Sequence, residues 1–525
     1  MYKDHLTVVV VNNIHGRCFK NNRWSIRQGD RPSSILFCYG LDPHLDWLEF
    51  RLRGIPIYKN LKAENPATEV YKLIAYVDDV KPSITCMNDF LIVDNGSALF
   101  EAASGCKLHR DPTSGKVKFL PLCRWKGTLT KEDLPVNYIA MSEHLDMVGV
   151  KLTASYQKTR KLNGHELQSK VQTVIGAWRS GKYMPLINRP HSINTYCLSK
   201  VWFRCATVNP RVCDVSKITS SVKSWLFADQ LEKPEEVVLH RPRKLGGLGL
   251  MNVQYKALSL LIRTFLETAI IPKFKHNQYH TALYLWHIEG DKDITCPVQP
   301  PYYDDSFFNT IKQVKQEGLL NLKTMSSAQW YRVLVESNIT HEIKNSRNEY
   351  IPCRAEAKLP GIDWERSWSL AATPGLPSSS LTFVWKMKHN LLPTPSRLFR
   401  LKMPHTSSNL CNLCNQDQVG DLSHCLLQCS YNDGADQFLM SKLSKVLPNI
   451  LPNDVVHLDF DAGDLQLPLV YLAASVLSQI WACRVEKKPC KLFAIRASLE
   501  ASINILRKSR HRSAAESLLV ILDTA

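Results

Sequence analysis

Two sets of residues have the types and spacing to do chemistry. Cys411-x2-Cys414-x9-His424-x4-Cys429 supplies three thiols and one imidazole, a donor set suited to tetrahedral Zn2+. The Cys-x2-Cys pair can form a knuckle. Residues 422–427 read as a short helix that presents the imidazole, with its leucines facing a small core, and Cys425 is assigned to packing. No open coordination position is evident, so the site reads as structural rather than hydrolytic. The second set is the run from Leu73 to Val80, where Tyr76-Val77-Asp78-Asp79 puts adjacent acids in an apolar, β-prone segment. One reading is a plain hairpin turn, where Asp is common. The other is a strand-edge turn that aims carboxylates at Mg2+, since hard oxygen ligands suit that ion and a two-metal pair can drive phosphoryl transfer.

These residues need elements to position them. Residues 7–12, 73–77 and 90–93 read as short strands. Residues 32–54 place Ile35, Leu36, Leu41, Leu45, Leu48 and Leu52 near helical spacing. Residues 156–275 read as mostly helical and close with the apolar-rich stretch 257–271. Prolines at 297–301 and 374–377 mark linkers. The apolar run 467–483 is short for a bilayer and is interrupted by Gln479, so it reads as a buried helix.

The chain of 525 residues is 44% apolar and 22% charged, which excludes a disordered tail or a fibrous repeat. Its N-terminus lacks the pattern of a secretory signal, so its 16 cysteines are expected to be reduced thiols. Residues 151–250 hold 17 Lys and Arg against 6 Asp and Glu, a net +11 of the total +18. Those cations interleave with Trp178, Trp202 and Trp225. The mixture suits a nucleic-acid backbone and bases, although a solvated face and core tryptophans explain it equally. The basic tail residues Arg484, Lys487, Lys488, Lys491, Arg496, Arg507, Lys508, Arg510 and Arg512 read as a solvated helix face. His389 reads as a core or surface histidine, not a ligand.

Upstream of the acid pair lies Arg27-Gln28-Gly29-Asp30-Arg31-Pro32, a glycine turn leading into a helix. Downstream come Ala103-Ser104-Gly105-Cys106-Lys107-Leu108, Met147-Val148-Gly149-Val150 and Arg241-Pro242-Arg243-Lys244-Leu245-Gly246-Gly247-Leu248-Gly249-Leu250. In this order the motifs resemble the reverse transcriptases of non-LTR (LINE-like) retrotransposons. The segment 383–400, with Trp385, His389, Pro393 and Arg397, resembles the approach to the zinc-binding C-terminal domain of the same elements.

The resemblance implies an α+β chain: a partial palm of antiparallel strands and helices at 1–155, a basic helical thumb at 156–275, a connector at 276–380, a zinc-binding module at 381–435 and a C-terminal helical tail at 436–525. It implies that Asp78 and Asp79 are the catalytic Mg2+ ligands, and that Gln28, Gly29 and Tyr76 line the nucleotide and template. RNA template, DNA primer and deoxynucleoside triphosphates would be the partners, in the nucleus and cytoplasm, with Zn2+ structural and no membrane involved. Gly246, Gly247 and Gly249 are expected to serve a tight backbone turn. The family's first palm carboxylate stands well upstream of the Arg-Gln-Gly segment, and the sole acid before Gln28 here, Asp4, lacks that setting. The chain is therefore expected to be the C-terminal part of a longer polymerase, inactive alone. The alternatives are a non-catalytic nucleic-acid-binding remnant and a remnant that binds nothing.

Overall fold

The computed structural model describes residues 5–7, 10–11, 14–15, 19–21, 33–59, 68–76, 79–111, 113–178, 184–228, 234–270, 278–294, 297–316, 322, 324–339, 361–371, 376–414, 416–508 and 511–523. The chain is α+β, mostly helical with short paired strands. It divides into two compact units. The first takes Met1–Gly164, Thr207–Asn209 and Leu261–Met325, and the second takes His165–Ala206, Pro210–Leu260 and Ser326–Ala525.

In the first unit the 32–54 segment becomes the helix Ser33–Arg51, with Leu41 and Leu48 buried on it and Leu52 buried just past its end. Leu73–Tyr76 pairs antiparallel with Asp79–Pro82, and Ile55–Lys59 pairs with Thr68–Tyr71. The described part of the 7–12 run also pairs, through His5–Thr7 with Phe19–Asn21 and Val10–Val11 with Ile14–His15. Met147 and Val150 close a two-residue hairpin whose turn residues, Val148 and Gly149, both have positive φ (47° and 77°). That is the twist a tight antiparallel hairpin requires.

The expected strand at 90–93 is not one. Phe90, Leu91, Ile92 and Val93 lie inside the helix Met87–Ser104. A cap overrides their β-propensity: Asp89 Oδ2 accepts bonds from the backbone N–H of Thr85 at 2.7 Å and of Cys86 at 3.1 Å. The reach-back satisfies donors that a helix start otherwise leaves unpaired. Phe90 then packs with Leu134, Tyr138 and Ile139 in a small core.

The second unit is a helical bundle round the helix Gln466–Val485, in which every residue from Pro468 to Leu477 is buried. This helix is long and apolar enough to cross a membrane by composition, but 61% of its apolar window is buried inside the protein. It is a core helix, as its length and interruption suggest. Ser378–Lys388, Ala435–Val446, Leu492–Arg507 and Arg512–Asp523 pack against it.

The glycine-rich segment 241–250 turns tightly against this bundle. Gly246 (φ 79°) and Gly249 (φ 67°) take the left-handed conformation that favours glycine. The Gly246 carbonyl accepts bonds from Trp385 Nε1 at 2.9 Å and His389 Nε2 at 2.8 Å, and the Trp368 ring stacks on His389. His389 is thus a core histidine.

His457 is buried beside Trp364, edge to face at 5.4 Å. Burial pushes its imidazole down to about 4, the buried Lys388 adding to the effect and Asp459 opposing it. The unfolded ring takes up a proton near pH 6.5 and the folded ring only near 4. Stability from the neutral ring is therefore complete above pH 6.5 and is lost as pH falls towards 4, about 3 kcal/mol in all. His457→Phe is expected to remove that share. Urea unfolding of both proteins across this range checks it: identical pH slopes would refute the assignment.

Candidate metal centre

The cysteine motif is built in three steps. Residues 409–414 and 416–420 lie side by side as a narrow ribbon, closed by the Leu410–Val419 bridge, by Cys411 N–H donating to the Gln418 carbonyl at 2.8 Å and by Gly420 N–H donating to the Asn409 carbonyl at 2.8 Å. This ribbon carries Cys411 and Cys414. Asp421 then starts a helical turn over residues 422–428: its Oδ1 accepts the His424 N–H at 2.8 Å and its carbonyl accepts the Cys425 N–H at 3.0 Å. That turn points the His424 imidazole back at the ribbon. It ends at Cys429, whose carbonyl accepts the Asn432 N–H at 2.9 Å.

All four ligand-type residues are buried, and their ligand atoms lie within 4.8 Å of one another. Cys411 Sγ and Cys429 Sγ are 3.8 Å apart, and Cys414 Sγ is 3.3 Å from His424 Nε2. Zn–S bonds of about 2.3 Å and a Zn–N bond of about 2.0 Å give tetrahedral edges of about 3.8 Å between sulfurs and about 3.5 Å between sulfur and nitrogen. The two close pairs match these edges, and with all four ligand atoms within 4.8 Å of one another the donor set suits a tetrahedral zinc ion. Leu413 and Tyr431 cover the sulfurs.

Burial opposes ionisation of Cys411, but the backbone N–H of Leu413, the Arg484 guanidinium and the backbone N–H of Cys414 hold it down to about 6. Burial, aided by the neighbouring thiols, pushes Cys414 up to about 11. Crowded thiols of this kind ionise together when a cation sits among them.

Two expectations change here. Leu422, Leu426 and Leu427 do not face a small private core but join the main bundle core, because the helical turn carrying His424 is packed directly on the Gln466–Val485 helix. Arg484 is not part of a solvated face. It is 7% exposed and donates through Nη2 to Cys411 Sγ at 3.3 Å and Cys425 Sγ at 3.4 Å. Spacing alone holds no signal for this, since the contact spans 73 residues of chain. Cys425 itself is fully buried and pushed up to about 12 by that burial; it stands outside the four-ligand group.

Of the acid-pair residues, Asp78 lies outside the described residues, as do Gln28, Gly29 and Asp4. Tyr76 stands directly opposite Asp79 in the strand pair, with its side chain 60% exposed. The Asp79 carboxylate is ion-paired with Lys81. Among the described residues no group of three or more metal-ligand side chains forms round Asp79.

In the basic region, Arg189, Arg204 and Arg241 are buried. Arg189 Nη1 donates to the Leu226 carbonyl at 2.6 Å and Arg204 Nη2 to Glu166 at 2.6 Å. Trp178, Trp202 and Trp225 pack in or against the core, so they are not free platforms. The exposed aromatics are ones the charge pattern did not single out, Tyr196 (61%) and Phe203 (56%), flanking the exposed Lys200 on consecutive turns. Arg179, Lys182 and Arg510 lie outside the described residues. The other basic tail residues, Lys487, Lys488, Lys491, Arg496, Arg507, Lys508 and Arg512, are exposed.

A buried Cys3His cluster packed against a bundle core defines a structural metal centre. Residues 353–435 match the family described as zinc-binding in reverse transcriptase. The match supports a reverse-transcriptase-related chain, and together with the cluster it supports a structural Zn2+. No curated protein matches the chain.

Proposed function

We propose that this chain is the C-terminal part of a non-LTR (LINE-like) retrotransposon RNA-directed DNA polymerase: palm remnant at 1–155, thumb at 156–275, connector at 276–380, zinc-bound module at 381–435 and helical tail at 436–525. The observation that carries this reading is the reverse-transcriptase zinc-domain match over a Cys3His cluster whose spacings suit zinc. The Leu73–Tyr76 and Asp79–Pro82 pair adds to it, since a tight antiparallel pair flanking residues 77–78 is what the Asp78 and Asp79 motif needs. In the intact polymerase Asp78 and Asp79 would hold Mg2+, which would neutralise charge as a primer 3′-hydroxyl attacks the α-phosphorus of a deoxynucleoside triphosphate and pyrophosphate leaves, with Gln28, Gly29 and Tyr76 along the nucleotide and template. Two-metal chemistry draws on more carboxylates than this adjacent pair, and the reading holds that the chain alone does not polymerise.

A second reading, a non-catalytic nucleic-acid-binding protein of the nucleus or cytoplasm, is favoured by the Lys81 ammonium on Asp79 and by the Tyr196, Lys200 and Phe203 face. Primer extension on an RNA template separates the two. This chain is expected to give no product, whereas a form extended upstream through an Asp-bearing palm strand gives Mg2+-dependent product that Asp78→Ala abolishes. Product from this chain alone overturns the proposed inactivity; no product from the extended form leaves the binding reading. RNA binding that weakens steeply with salt belongs to both, and its absence at low salt removes both.

A further inference from the structure

We propose that Arg484 completes the zinc centre from outside the matched domain, as the charge partner of its thiolates; this rests on the zinc reading above. A Zn2+ ion with three thiolates and a neutral imidazole carries a formal charge of −1, and burying an unpaired charge is costly. The Arg484 guanidinium sits against that charge, 3.3 Å from Cys411 Sγ, and it faces Cys429 as well. The converse holds equally. A guanidinium this deeply buried, whose partners here are sulfurs, has weak acceptors if those sulfurs are neutral thiols and strong ones if they are metal-bound thiolates.

Arg484 occupies the last turn of the Gln466–Val485 helix, beyond the end of the matched segment at residue 435. The ion pair therefore ties zinc occupancy to the central helix of the bundle. Cys425, whose Sγ takes the same Nη2 at 3.4 Å, keeps the guanidinium turned towards Cys411. Arg484 is a positioning residue: it touches the ligands and not the metal.

The test uses the full chain and zinc competition against a chelator of known affinity. Wild type must first show one zinc per chain, and its absence sinks the zinc reading rather than this inference alone. With zinc present, Arg484→Met is expected to weaken zinc binding about 10- to 100-fold, the usual loss for an outer-shell partner. Zinc held as tightly as in wild type overturns the proposal. A second measurement compares melting temperatures in a double-mutant cycle with Cys411→Ser. The cost of Arg484→Met should nearly vanish in the Cys411→Ser background; an equal cost in both backgrounds marks Arg484 as a packing residue and overturns it too. Should Arg484→Met fail to fold, Arg484→Gln is read in its place with the same outcomes, and failure of both to fold also counts against the proposal.

Discussion

Cys411→Ser is expected to abolish tight zinc binding and to unfold the second unit at markedly lower denaturant than wild type. A structural site is not formed in the unfolded chain, so the metal's binding free energy is folding free energy. At free zinc about a thousandfold above Kd, that linkage alone is worth about 4 kcal/mol. The loss should spread beyond the ribbon, because the helical turn bearing His424 shares Leu426 and Leu427 with the main core. The check is paired: wild type should be destabilised by a strong chelator, and Cys411→Ser should not respond to it. Wild type that ignores the chelator would argue for unligated buried thiols.

Gly247→Ala is expected to cost about 4 kcal/mol, the scale of a severe overpacking change. A Cβ at this position meets the Arg241 carbonyl oxygen at 1.9 Å and its carbonyl carbon at 2.3 Å. Both are backbone atoms of the same turn, so no rotamer change relieves the overlap. The turn must open, and opening it pulls the Gly246 carbonyl away from Trp385 and His389. The control is Gly176→Ala, in the helix Tyr156–Ala177, where nothing lies within 4 Å. That change should be neutral or stabilising by about 0.5–1 kcal/mol, since alanine is the better helix former. Equilibrium urea unfolding separates them, and equal midpoints for the two variants would contradict the close approach at residue 247.

The metal centre was legible because its ligands cluster within nineteen positions of chain and because thiols and imidazole have few other uses at that spacing. The helix Ser33–Arg51 and the largely buried run 467–483 were legible for a similar reason: a sustained apolar content and its length are local signals. Residues 90–93 show where local signals mislead. Four apolar, partly β-branched residues carry less information than a cap made by Asp89 four residues from Thr85. Arg484 marks the other limit. In a basic tail an arginine looks solvated, and only packing across 73 residues brings it to a thiol. Tyr196 and Phe203 carry no local signal at all, because exposure of an aromatic is decided by which helix face the rest of the bundle covers.

X-ray absorption at the zinc edge on the purified, reduced full chain tests the central claim most directly. One zinc per chain, bound by three sulfurs at about 2.3 Å and one nitrogen at about 2.0 Å, is the expected spectrum, with the nitrogen lost in His424→Ala. A chain without zinc, or with zinc in an all-oxygen or oxygen-rich shell, would contradict the assignment of Cys411, Cys414, His424 and Cys429.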